Sequence, residues 1–458
     1  MSRDTHPTFA NHVGVTSEVL QEVRQHLRAH KWARLKKTVA PLHASDIANI
    51  IQLLDGSERN HFIPLIPAEA LPEVLAELED HFRPLVLERL NPQQLANAIT
   101  ELDTGDAVEL IEELDDDVKE KALSHISKED REVLEKALQY AEKTAGRIMQ
   151  TDVPCVPGFW TVGEALDYIA KTTDLPDTYY DLYIVDPRDK PQGIVSLTQL
   201  VREERDVPLA KIIDENIRLI PADMDQEKVA QLFRQYGLVS APIVNTENHI
   251  IGMITVDDIV HVITEEAQED LLNLAGVRES DFYAGPVETT YQRIPWLVIT
   301  MVNVMISIFV LSHFRTLIDQ VTALAFYLPV SAAMAGNSGL QVITIIVRAL
   351  ATQELRKENQ MRTVIKELTV ANFNGIIFAL VFGTLASYWE SDVRLGLVVG
   401  GALIFNMILA GLAGTLLPVM LRRLDMDPAI GAGPMLTILT DVLGYFIYLS
   451  LATLIFGT

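Results

Sequence analysis

The sequence predicts a multidomain membrane protein in three parts: all-α superhelical repeats at the N-terminus, a tandem pair of small α/β modules, and an all-α membrane domain of five helices. Three observations carry this expectation. Five long apolar runs fill the last third of the chain, a 24-residue period runs through the first third, and a longer repeat occupies the middle. The 458 residues suffice for about three domains, and a mean hydropathy of +0.19 with 49% hydrophobic residues places part of the chain in lipid. The expected boundaries are 1–145, 146–262, a connector over 263–290, and 291–458.

The first part is rich in Leu, Ala and Glu at helical spacing. IANIIQLLD from Ile47, LPEVLAELE from Leu71 and LANAITELD from Leu95 are 24 residues apart, with a weaker copy near Lys119, which predicts a small helical solenoid. Such stacks make scaffolds and docking surfaces. The acids Glu112, Glu113, Asp115, Asp116 and Asp117 read as a solvated turn or as a cluster able to help hold a divalent cation. His26 and His30 have i,i+4 spacing suited to zinc but no evident third ligand. The polar start MSRDTHPTFANH has no apolar core, so no cleaved signal peptide is expected. One cysteine, Cys155, excludes a disulfide framework.

In the middle part, Val156-Pro157 with TVGEALDYIA matches Ile220-Pro221 with DQEKVAQLFRQYG at an offset of 64. YIVDPRDKPQGIVSLTQLV then matches PIVNTENHIIGMITVDDIV at an offset of 59, the difference being a loop around Asp174 to Tyr180. Each copy reads as helix, strand, hairpin turn, strand, helix, with alternating β-branched residues in the strands. The connector that follows places Ile263, Ala267, Leu271 and Leu274 on one helical face and Glu265, Glu266, Glu269 and Asp270 around the rest.

The apolar runs are Ile294 to Leu311, Val321 to Leu350, Asn372 to Tyr388, Leu395 to Leu421 and Ile430 to Phe456. Basic residues follow the second run (Arg348, Arg356, Lys357, Arg362, Lys366) and the fourth (Arg422, Arg423), which predicts a cytoplasmic N-terminus and, with an odd number of spans, a C-terminus outside the plasma (inner) membrane. Pro329, Gly336, Asn337 and Gly339 predict an interruption of the second span.

One acid, Asp441, lies within these runs. A helix entering near Ile430 carries it roughly 15 Å into the bilayer, where burying a charge costs at least ~2.5 kcal/mol, so such a residue faces a pore, an ion or a partner. Thr437, four residues earlier, and Pro434 and Tyr448, seven to either side, are expected on the same face. The charge balance fits a cation: the 290 residues before Tyr291 carry a net −26 and the remainder +1. That argues against nucleic acid and anionic lipid as ligands of the soluble part. No phosphate loop, H-E-x-x-H site or second intramembrane acid is present, so no enzyme is expected.

The tandem modules resemble CBS domains, regulatory modules that pair and often bind adenine nucleotides. Their nucleotide motif stands in the second copy as GMITVDD from Gly252 to Asp258, which implies Thr255 and Asp258 as contacts to ATP; the first copy has Gln199 in place of the acid. LAFYLPV and GNSGLQ in the second span, LRRLDMDPAIGAGPMLTILTDVLG before and within the fifth, and EEAQED in the connector extend the resemblance to the MgtE family of magnesium channels over nearly the whole chain. That resemblance implies a homodimer in the lipid membrane, a pore lined by the second and fifth spans, and Mg2+ held at Asp441. Asn337 and Thr437 would add neutral oxygens beside it. It also implies passive Mg2+ movement, with the connector helix as a plug closed by cytosolic Mg2+. Asp257, Asp258, Glu265, Glu266, Glu269 and Asp270 are the expected regulatory acids. Oxygen ligands alone do not separate Mg2+ from Co2+ or Mn2+, so a carrier of another divalent ion, and a membrane-tethered sensor that moves nothing, stand as alternatives.

Overall fold

A computed structural model describes residues 15–457 apart from positions 80, 173–174, 177, 278–285 and 425. The polar start, two positions of the expected 174–180 loop, and 278–285 of the connector lie outside the described residues. The chain divides into two compact units, Met1–Ile263 and Thr264–Thr458.

In the first unit the 24-residue period becomes paired short helices: α1 (Ser17–Arg28), α2 (Trp32–Val39), α3 (Ala44–Leu53), α4 (Gly56–Phe62), α5 (Leu71–Ala76), α6 (Arg83–Leu87), α7 (Pro92–Glu101), α8 (Thr104–Glu112), α9 (Asp116–Leu123) and α10 (Lys128–Ala137). The repeat helices α3, α5, α7 and α9 pack one on the next, as a solenoid requires. Equivalent positions Ile47, Leu71 and Leu95 are all buried, and so are Ile50, Ile51, Val74, Leu75, Ala98 and Ile99, which recur three and four residues later. Each large side chain so buried contributes about 1.5–3 kcal/mol. Entry into α7 is set by Pro92 at its first position and a capping box between Asn91 and Gln94.

The acid run divides its labour. Glu113 accepts from Arg83 at 2.6 Å, Glu112 pairs with Arg147, Asp115 is the N-cap of α9, and Asp116 and Asp117 fill its first turn. These acids are therefore spread over ion pairs and a helix terminus rather than gathered about one ion. His26 is buried beside Glu22, and His30 packs on Trp32 and His61.

After the short α11 (Ala145–Ile148) come the two modules. The first is β1 (Cys155–Pro157), α12 (Val162–Lys171), β2 (Asp181–Val185), β3 (Pro191–Ser196) and α13 (Leu197–Arg202); the second is β4 (Ile220–Pro221), α14 (Gln226–Tyr236), β5 (Ser240–Val244), β6 (Ile250–Thr255) and α15 (Val256–Ala275). Each begins with a strand that the helix-first reading omitted, and that strand runs parallel to the next, as a β-α-β crossover demands. The second and third strands are antiparallel, with Asp181 opposite Ser196 and Ser240 opposite Thr255. Asp181 and Ser240 occupy matching ends of β2 and β5, and a buried relay joins the modules there. Tyr183 Oη donates to Ser240 Oγ at 2.8 Å, which donates to Asp181 Oδ2 at 2.7 Å. Helix α15 continues from β6 through position 263 without a break.

Among the described residues the second unit holds five helical stretches long and apolar enough to cross a membrane. They are α16 (Pro286–His313), α18 (Ala323–Ala351), α19 (Lys357–Trp389), α20 (Val393–Arg423), and a fifth made of α21 (Pro428–Ile438), a π-helical segment Leu439–Leu443 and α22 (Gly444–Phe456); α17 (Arg315–Gln320) is a short link between the first two. Small residues let α20 run through the middle of the bundle. At Gly400 an added Cβ would lie 3.1 Å from the carbonyl oxygen of Ala379 on α19, and at Gly414 it would lie 2.9 Å from that of Gly339 on α18.

The expected interruption of the second span is not there: α18 is one helix through Pro329 and the GNSG segment. Pro329 lies inside α18, as its seventh residue, and costs it one i→i−4 hydrogen bond without ending it, and Gly339 serves close packing, with a Cβ there falling 2.6 Å from Leu436 of α21. The break lies in the fifth span instead. Of the connector's apolar face, Leu274 packs against buried residues of α18, α20 and α21, whereas Ile263 and Leu271 stay exposed.

Candidate functional site

Asp441 lies in the π-helical segment, half-buried, and its sequence neighbourhood explains why the helix loosens there. Pro434 removes one backbone donor, while Thr437 Oγ1 donates back to Gly433 O at 3.2 Å and Thr440 Oγ1 to Leu436 O at 3.0 Å. Such i−4 back-bonding weakens the ladder ahead of it, and single π turns are frequent at functional sites. The inserted register also overturns one expectation. Residues beyond Asp441 are rotated relative to those before it, and Tyr448 turns inward, fully buried, donating to Leu324 O at 3.2 Å. It does not share the face of Thr437 and Asp441.

Two amides hold this segment. Asn303 of α16 donates from Nδ2 to Asp441 Oδ2 at 3.1 Å. Asn406 of α20 donates from Nδ2 to Ser331 Oγ at 2.6 Å and to Gly444 O at 3.3 Å, tying α18 and α20 to the residue that follows the π turn. A charge at this depth needs such donors. Asn337 on α18 and Thr437 on α21 are exposed in the single chain, and around Gly336 the space is open within 4 Å of an added Cβ. The polar side of these two spans is thus unfilled by the chain itself. Asn303 was absent from the sequence reading. Its signal was available, since an Asn inside an apolar run is costly unless it has a partner.

A second cluster lies within the first unit. Asp258 Oδ2 accepts from the backbone N–H and the hydroxyl of Thr255, both at 2.8 Å, while Gln150 Nε2 donates to Asp258 Oδ1 at 3.3 Å and to Asp103 Oδ2 at 3.2 Å. Thr104 and Thr151 hydroxyls meet at 2.8 Å beside them. The helical repeats and the second module therefore meet across acids. Asp106 is pushed up to about 7, first by loss of solvent and then by the charges of Asp258, Glu109 and Asp103, with His261 opposing. Asp258 is pushed up to about 6, first by loss of solvent, against the lowering effect of the Thr255 bonds and with the charges of Asp257 and Asp103 adding. Carboxylates that resist ionising together are what a divalent cation relieves. Among the described residues no three His, Cys, Asp or Glu side chains close into a ligand cage. Mg2+, which keeps most of its water, does not require one.

Of the expected regulatory acids, Asp258 is in this cluster, Asp257 is exposed in the first turn of α15, and Glu265, Glu266, Glu269 and Asp270 follow along the same helix. Glu265 with Glu269 and Glu266 with Asp270 are four apart and so adjacent on its surface. Thr255 is fully buried, and the oxygens of Asp258 are already engaged by Thr255 and Gln150. Asp103, Asp106 and Glu109 were not anticipated, although their three-residue spacing across α8 places them on neighbouring positions of one side.

Comparison with known proteins agrees with this architecture. Residues 42–143 match the MgtE intracellular N domain, 145–206 and 209–265 the CBS domain, and 328–451 the MgtE divalent cation transporter family. A magnesium transporter MgtE of Thermus thermophilus is 32% identical over 92% of this chain and 95% of its own length, and one of Bacillus subtilis is 28% identical over 93% and 95%. A crystal structure of the cytosolic domain of the Mg2+ channel MgtE in complex with ATP is 25% identical, covering 53% of this chain and 99% of that one, with a TM-score of 0.50. With the soluble repeats, the paired modules and the five spans in this order, the chain belongs to the MgtE family of magnesium transporters.

Proposed function

We propose that the protein is a passive Mg2+ channel whose pore is lined by the second and fifth spans of two copies, with Asp441 as the central acid. The observation that carries this is Asp441 itself, the one acid within the five apolar runs, placed on a π turn beside the unfilled polar side of α18 and α21. Mg2+ is hard, octahedral and slow to lose water, so a carboxylate from each copy with Asn337, Thr437 and backbone carbonyls can hold it through its hydration shell. A single copy offers half of such a shell, which supports a homodimer. The loop charges support a cytoplasmic soluble unit and a C-terminus outside.

Cytosolic Mg2+ closes the pore in this reading, bound within the first unit at Asp257 and Asp258 with Asp103 and Asp106, and along the connector at Glu265, Glu266, Glu269 and Asp270. The raised carboxyls of Asp106 and Asp258 support it, because a bound cation favours the compact, ionised arrangement. Driving a gate from about 1:99 to 99:1 takes roughly 5.5 kcal/mol, which about four sites of tenfold preference supply. The similar ATP-bound structure supports ATP as a ligand of the modules in this reading, with Thr255 and Asp258 as the residues to test.

Growth of an uptake-deficient strain at limiting Mg2+ is the test of transport: the intact protein rescues and Asp441→Ala does not. Rescue by Asp441→Ala equal to the intact protein removes Asp441 from the pore. No rescue by well-expressed intact protein favours a sensor.

A further inference from the structure

Asn303 and Ser307 stand out among the buried polar groups of the membrane unit. Asn303 is 2% exposed and Ser307 6% exposed, four residues apart and therefore on one face of α16. The Nδ2 of Asn303 is used on Asp441, but its Oδ1 and the Ser307 Oγ are buried without a hydrogen-bond partner among the described residues. Thr300, on the same helix, shows the usual escape, donating back to Trp296 O at 3.1 Å; Ser307 does not take it. Buried polar atoms of this kind are satisfied by water or by an ion. Both belong to the helix that packs against the π segment carrying Asp441.

We propose that α16 supplies part of the ion station: Asn303 Nδ2 fixes the Asp441 carboxylate, and Asn303 Oδ1 and Ser307 Oγ accept hydrogen bonds from the water shell of a hydrated divalent cation. This rests on the reading of Asp441 as the pore acid. The chemistry is specific in sign. The protons of metal-bound water point outward, so an outer-shell site needs acceptors, and an amide oxygen, a hydroxyl oxygen and a carboxylate provide them without stripping the ion. Holding one carboxylate oxygen by Asn303 leaves the other to face the shell. The inward face of the first span thereby acts as a positioning and selecting element, while its other faces stay apolar and exposed.

The experiment measures Mg2+ flux in proteoliposomes for the intact protein, Asn303→Leu, Asn303→Gln, Ser307→Ala and Asp441→Ala. Each is titrated with Mg2+ and with hexaamminecobalt(III) as blocker, a cation whose N–H shell cannot exchange and which binds only through outer-shell acceptors. Asn303→Leu is expected to raise both the half-saturating Mg2+ and the half-blocking concentration about tenfold, the loss of one good hydrogen-bonding partner. Ser307→Ala is expected to raise the block about threefold, and Asn303→Gln, which keeps the amide, to stay within about threefold of the intact protein. A role in helix packing alone would lower the yield of protein without moving the block. If Asn303→Leu and Ser307→Ala match the intact protein in both titrations while Asp441→Ala is silent, the inference is overturned and Asp441 stands. If Asp441→Ala conducts normally, the pore reading falls and this inference with it. Should Asn303→Leu fail to reach the membrane, Ser307→Ala decides: a block equal to that of the intact protein overturns the proposal.

Discussion

Replacing Asp106 by Asn is expected to stabilise the soluble unit at alkaline pH and to weaken its response to Mg2+. In the folded chain the Asp106 carboxyl is pushed up from 3.8 to about 7, by loss of solvent and by Asp258, Glu109 and Asp103. A carboxyl whose folded value is raised keeps a proton that the unfolded chain releases, so the contribution of Asp106 to stability is most favourable below about pH 4 and falls as pH rises toward 7. At full strength that rise corresponds to roughly 4 kcal/mol, but Asp106 is exposed, and solvent screening brings this to about 2 kcal/mol. For a unit of this size that is on the order of 5 °C in melting temperature. The assay follows the first unfolding transition of the full chain in detergent from pH 5 to pH 8, with and without Mg2+. The intact protein should lose stability across that window without Mg2+ and recover it at pH 8 when Mg2+ is added. Asp106→Asn should melt higher than the intact protein at pH 8, show a flatter pH profile, and gain less from Mg2+. Equal pH slopes and equal Mg2+ gains for the two proteins would refute the argument.

Ser240→Val should cost about 1–3 kcal/mol, because it leaves the buried Tyr183 hydroxyl and Asp181 carboxyl without their shared partner; urea denaturation of the soluble unit reads this directly. Arg83→Met removes a 5% exposed guanidinium that binds Glu109, Glu113 and the carbonyls of Leu75 and Leu78, and thermal melts should show a loss of about 3–5 kcal/mol. Asn406→Leu should lower the melting temperature of the membrane unit by freeing Ser331 and Gly444 O, at a cost of about 1–3 kcal/mol, and should reduce Mg2+ flux by loosening the π turn. Gly414→Val should separate α18 from α20, seen as lower yield and an earlier transition, since its Cβ would fall 2.8 Å from that of Val342.

Local patterning determined a good deal by itself. The 24-residue period located the repeat helices because Ile47, Leu71 and Leu95 must each find the same buried place in a stack, and the apolar runs located the five spans because length and hydropathy suffice for crossing a bilayer. The lone acid nominated Asp441 on energetic grounds that need no partner. Tertiary structure decided what depends on neighbours distant in sequence. Whether Pro329 breaks a helix depends on how α18 packs, and it does not; where the fifth span opens depends on Pro434, Thr437 and Thr440 acting together with amides from α16 and α20. The bond from Asn303 to Asp441 spans 138 positions, and that from Gln150 to Asp258 spans 108. No periodicity reports such pairs. Hydrophobic spacing encodes which face is buried, whereas the identity of the polar group waiting there is set only when the chain has folded around it.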